Sequence, residues 1–142
     1  MRPAPERKRV PTWPERLAAL IEERRHTPFV WGTHDCCLFA ADAVLATTGA
    51  DPAAEWRGRY DSEAEALELL GARGLEGTVA DAMAAFGAPE CPVLAAQRGD
   101  VVLATSGNEP LVGVAFGSRI VVPGPERLVF LPLSAGSRAW AV

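Results

Sequence analysis

Pro28-Phe29-Val30-Trp31-Gly32-Thr33-His34-Asp35-Cys36-Cys37-Leu38-Phe39-Ala40-Ala41-Asp42 joins an aromatic, glycine-bearing loop to an apolar segment, and the reading of this stretch decides the fold. From Cys36 to about Thr47 every residue except Asp42 is apolar or small. A helix without a polar face belongs at the centre of a domain, and Gly49 is placed to close it. Cys36 opens that helix. The first-turn N–H groups of a helix lack intrahelical partners and carry partial positive charge, which favours the nucleophilic thiolate over the thiol. No histidine occurs after His34, so the remote imidazole that commonly partners such a thiol is missing.

Upstream, Thr12 is expected to cap a first helix with Pro14 in its first turn. Leu17, Leu20 and Ile21 share one face of it before the charged exit Glu22 to Arg25. Residues 1–11 carry Arg2, Arg7, Lys8 and Arg9 among Pro3, Pro5 and Pro11, the composition of an extended arm that orders against a partner. Downstream, Asp51-Pro52 opens a short helical turn through Trp56. Ser62-Glu63-Ala64-Glu65 reads as a capping box before Leu67, Leu69 and Leu70, and Thr78 to Phe86 as another short helix stopped by Gly87 and Pro89.

From Asp100 the character changes to β-branched runs: Val101 to Ala104, Leu111 to Phe116, Arg119 to Val122 and Leu128 to Leu131. Gly117-Ser118 suits a two-residue hairpin turn, and Arg138 to Val142 an edge strand. Helices first and a small antiparallel sheet second make an α+β layout, with the Cys36 helix packed on one sheet face. With 142 residues, 49% of them hydrophobic, the chain suits one domain over residues 12–142 behind the basic arm at 1–11.

Composition narrows the function classes. A net charge of −4 and scattered positive residues argue against a nucleic-acid partner. No apolar run reaches the roughly 20 residues that cross a bilayer, and Met1 to Val10 has no apolar stretch of signal-peptide kind, so synthesis in a cytoplasm is expected. Three cysteines, two of them adjacent and Cys91 in an expected turn, read as reduced thiols. His34, Cys36 and Cys37 crowd one turn without the further spaced ligands of a closed zinc site, so no metal and no cofactor is expected.

The loop ending in Trp31-Gly32, the Asp35-Cys36 pair opening a buried helix and the later Arg98-Gly99-Asp100-Val101-Val102 turn resemble the NlpC-type cell-wall cysteine peptidases, small papain-like hydrolases. The run from Trp31 to Tyr60 and the Arg-Gly-Asp-Val turn are similar to an uncharacterised family encoded in tail gene clusters of phages and prophages. The resemblance implies a papain-like fold, Cys36 in the nucleophile position and Asp35 in the acidic position before it. Leu111-Val112-Gly113-Val114 looks like the strand that opens with the catalytic histidine, and the base position then falls on Leu111. Leucine can neither accept the thiol proton nor return one to a leaving amine.

His34 is the one imidazole near Cys36 in sequence, and it can act as base only if the loop turns sharply. Trp31 and Phe29 either floor a substrate groove or wedge the loop against the core. Asp42 on the apolar helix needs a partner such as Arg57 or Arg59. Two functional readings follow from the resemblance. One is a catalytically impaired tail-tip protein that grips other phage tail-tip or hub proteins and is assembled into the virion tail. The other is an active peptidase that cuts peptidoglycan peptide crosslinks during DNA entry.

Overall fold

The computed structural model describes residues 7–142; the first half of the expected arm, residues 1–6, lies outside the described residues. The helices are α1 (Trp13–Arg24), α2 (Cys36–Thr48), α3 (Glu63–Leu70) and α4 (Gly74–Phe86). The strands are β1 (Glu90–Cys91), β2 (Val101–Ser106), β3 (Glu109–Phe116), β4 (Arg119–Pro123), β5 (Leu128–Pro132) and β6 (Gly136–Trp140). The strands form one antiparallel sheet in the order β1-β6-β2-β3-β4-β5. The architecture is mixed α+β.

Helix α2 is buried because its sequence leaves it no face for water. Leu38, Phe39, Ala40, Ala41, Ala43, Val44 and Thr47 are all buried. Thr47 reconciles its hydroxyl with that setting by donating to the Ala43 carbonyl at 3.0 Å. Gly49 ends the helix at φ 82°, the left-handed conformation that glycine adopts without a Cβ penalty. The helix packs between Leu17 and Ile21 of α1 and one face of the sheet, where Val101, Leu103, Val112, Val114 and Val121 point.

The other sheet face is also covered. Val102, Ala104, Ala115, Ile120, Val122 and Ala139 meet Cys91, Val93, Leu131 and Leu133 there. A sheet buried on both faces explains why β2, β3 and β4 read as continuous apolar runs rather than alternating ones.

Several expectations are corrected. Thr12 precedes α1 but makes no side-chain cap hydrogen bond. Helix α4 starts four residues before Thr78, because a 3₁₀ turn at Gly71–Arg73 leads straight into it and an Arg73–Asp81 ion pair at 2.8 Å spans its first turns. Gly74 and Gly77, poor helix formers, hid this start. Cys91 lies in strand β1 rather than in a turn. The C-terminal strand is interior, pairing β2 on one side and β1 on the other.

The described half of the arm does not wait for a partner outside the domain. Asp100, fully buried, accepts from Arg7 Nε at 3.1 Å and Nη2 at 2.8 Å, from Arg9 Nη2 at 2.8 Å, and from the N–H groups of Gln97 at 2.8 Å and Val142 at 3.1 Å. Val10 donates its N–H to the Thr47 carbonyl, Arg9 lies over the Trp13 ring, and Lys8 donates to the Phe86 carbonyl. Residues 7–10 are therefore part of the domain. A carboxylate aimed at these cations supplied the contacts that composition alone could not reveal.

Truncating one member of a buried ion pair leaves the other charge uncompensated. Asp100→Ala should lower the unfolding free energy by about 3 to 5 kcal/mol in urea titration, with amide exchange accelerating at residues 8–10 and at Val142.

Candidate functional site

Asp35 builds the site. It is the N-cap of α2, with extended backbone (φ −105°, ψ 176°), and its Oδ1 accepts from the Leu38 N–H at 2.9 Å. Its Oδ2 accepts from the Gly32 N–H at 3.0 Å and from the Tyr60 hydroxyl at 2.6 Å. One buried carboxylate thus ties the helix, the loop before it and the chain 25 residues on. These bonds give Asp35 a positioning role at the head of α2, beside the thiol. Burial, with the bond to Asp35, pushes the Tyr60 hydroxyl far above its ordinary value, which keeps it a donor.

Cys36 is the first residue of α2, facing the sheet as the sequence requires. Cys37 and the backbone N–H groups of Val112 and Cys37 act on its sulfur. These donors lower the Cys36 thiol below its ordinary value, led by the Cys37 bond, against burial and the nearby Asp35 charge. Cys37 moves well above its ordinary value, because it donates to its neighbour and is itself buried. Strand β4 pairs with β3 only from Val114 to Phe116, and the Val112 N–H given to Cys36 lies beyond that pairing.

His34 engages Arg24 rather than the thiol. Its Nδ1 lies 3.2 Å from Arg24 Nη1, and since a guanidinium can only donate, Nδ1 accepts and the ring proton sits on Nε2. Nε2 is buried with no hydrogen-bond partner among the described residues, so neither nitrogen engages Cys36. The ring stands edge-on to Phe39 with centroids 5.6 Å apart. Burial and then the Arg24 charge push His34 below its ordinary value. Arg24 in turn pairs with Asp42 at 2.9 Å, and Asp42 with Arg57 at 2.7 Å, one of the two arginines expected for it; Arg59 instead reaches the Glu55 carbonyl. His26, the other histidine, is exposed.

Leu111, on which the base position was expected to fall, borders the groove that holds the thiol. Its side chain packs with the cluster on the far face of the sheet, while its neighbour Val112 faces α2. Alternation along β3 is the reason: consecutive side chains leave a strand on opposite faces.

The two sulfurs border an apolar groove of about 500 Å³ between α2, α3, α4 and the start of β3. Phe29 and Trp31, in edge contact at 4.8 Å, line its loop side, so both aromatics belong to the groove. Trp56, Tyr60, Leu67 and Leu70 form the opposite wall. Among the described residues no group of three or more His, Cys, Asp or Glu is arranged to hold a metal ion, and no helix is long and apolar enough to cross a membrane. The site therefore offers a sulfur in an apolar groove, with no imidazole or carboxylate hydrogen-bonded to it among the described residues.

Tyr60 and the Val112 N–H are the site members that the sequence did not reveal. Tyr60 reaches Asp35 across 25 residues, and a backbone donor has no residue-type signature.

This chain belongs to the family described as domain of unknown function (DUF6950), whose model matches residues 8–142. The match includes Arg9, one of the two arginines that hold Asp100. No curated protein and no solved structure matches the chain.

His34 binds a proton less readily folded than unfolded, so its contribution to stability is fully present above the unfolded value of about 6.5 and is lost as pH falls through it toward the lower folded value. Urea midpoints of the native chain should drop between about pH 7 and pH 5.5, and those of His34→Gln should stay nearly level over the same range. Separately, Tyr60→Phe should cost about 1.5 to 3 kcal/mol, the range for a hydrogen bond to a charged group, measured in the same titration.

Proposed function

We propose that this family member is a phage or prophage tail-tip protein with an NlpC-type, papain-like fold that has lost peptidase chemistry and acts in tail assembly. The observation that carries the loss of chemistry is the set of groups on the Cys36 sulfur: Cys37, two backbone N–H groups and the nearby charge of Asp35, with His34 turned to Arg24. Cleaving an amide through a thioester requires a proton for the leaving amine and a base to activate water. Among the described residues no imidazole, carboxyl or amine is hydrogen-bonded to the sulfur. The papain-like lineage is supported by the order of parts: an Asp-Cys pair at the head of a central helix, a Gly-Asp turn into the sheet, and the strand Leu111-Val112-Gly113-Val114 beside the thiol. The tail role rests on the likeness of Trp31 to Tyr60 and of the Arg-Gly-Asp-Val turn to proteins of tail gene clusters.

The second reading, an active peptidase acting on peptidoglycan, draws on the lowered Cys36 thiol and on the groove beside it. It would need a base from another subunit. The two readings separate cleanly. Deleting the gene from its phage or prophage should yield particles with defective tails, and a Cys36→Ser copy should restore them. Purified native chain and Cys36→Ser should release equally little peptide from peptidoglycan. Normal particles without the chain would sink the assembly role; release that depends on Cys36 would sink the loss of chemistry.

A further inference from the structure

We propose that Cys36 is an acceptor for a straight-chain acyl group, delivered as a thioester and held in the apolar groove as a long-lived S-acyl adduct. This goes beyond the assembly role and does not depend on it. What forbids amide hydrolysis here does not forbid thioester exchange. The Cys36 thiolate attacks the carbonyl carbon, the new C–S bond forms as the donor's C–S bond breaks, and the donor departs as a thiolate that takes its proton from water. No general acid is needed for a thiolate leaving group, whereas an amine must be protonated as it leaves. The Cys36 thiol stands below its ordinary value, led by its interaction with Cys37, which raises the fraction present as the thiolate that exchange draws on, its proton passing to solvent.

The groove supplies the selectivity. Its volume of about 500 Å³ lies within the range of small-molecule sites, and its walls are Leu67, Leu70, Leu75, Val79 and Met83 facing Trp31. Methylene groups entering it leave water for apolar contacts, so longer chains gain with each carbon. Once formed, the adduct persists, since the site bonds no base to the sulfur that would activate a hydrolytic water. The exposed carboxylates at the mouth, Glu63 and Glu109, and the net charge of −4 disfavour a polyanionic donor, so the fitting donor is a thioester of an uncharged carrier.

The test incubates the full chain with the decanoyl or the acetyl thioester of N-acetylcysteamine, an uncharged thiol, and follows intact mass with peptide mapping. One decanoyl group should attach at Cys36, at least tenfold faster than acetyl, survive for hours and come off with neutral hydroxylamine. Cys36→Ser should take up none. Ala82→Trp, which puts an indole into the groove wall, should lose the tenfold preference for decanoyl while its Cys36 still reacts with iodoacetamide in a chain folded by circular dichroism. The proposal is overturned by equal rates for acetyl and decanoyl, by labelling of Cys91 as fast as Cys36, or by an Ala82→Trp chain that keeps the preference. Peptidoglycan assays report on the other reading, so either can fail alone.

Discussion

A single buried carboxylate, that of Asp35, sets the geometry on which the site depends. Its three acceptor bonds go to α2, to the loop before it and to Tyr60, so the helix start, the aromatic loop and the groove wall are fixed by one side chain. Aspartate suits the task because its short side chain reaches an N–H three residues on while its backbone stays extended. Gly32 is part of the same constraint. It stands at φ 80°, and a Cβ there would run into the Tyr60 carbonyl oxygen, so any side chain would push apart the loop and the wall that Asp35 draws together.

The cost of this arrangement falls on the thiol. A helix N-terminus favours a thiolate, but a carboxylate capping that same terminus works against it. The sulfur is tuned instead by hydrogen bonds from Cys37 and from the backbone, including the strand N–H of Val112. This favours the thiolate, yet nucleophilicity falls as the thiol becomes more acidic. Such a sulfur favours reactions with good leaving groups over attack on unactivated amides.

Much of the fold could be read from residue patterns, and the misses share a cause. The apolar run after Cys36, Gly49, the Ser62 to Glu65 box and the Gly117-Ser118 hairpin are local signals, and each element they specify is present. Strand β1, the interior place of β6 and the docking of residues 7–10 depend on contacts across the chain, which local patterns do not encode. The site divides the same way. Cys36 at the helix start and an arginine on Asp42 follow from local logic. The Arg24 contact that claims His34, and the strand alternation that turns Leu111 to the far face, arise only when the loop and sheet are assembled.

Fastening of residues 7–10 also changes what can support an assembly role. A basic, proline-bearing segment suggests a grip on a neighbour only while its cations are unspent. Here Arg9 serves Asp100, the Arg98 and Val142 carbonyls and the Trp13 ring, and Lys8 serves the Phe86 carbonyl. These bonds close the chain on itself, joining its early residues to the last strand and to the turn that begins β2, whose Val101 borders the groove. Support for the assembly role we propose therefore passes from the arm to the site, where the sulfur keeps its place at the head of α2 while the imidazole near it is engaged by Arg24.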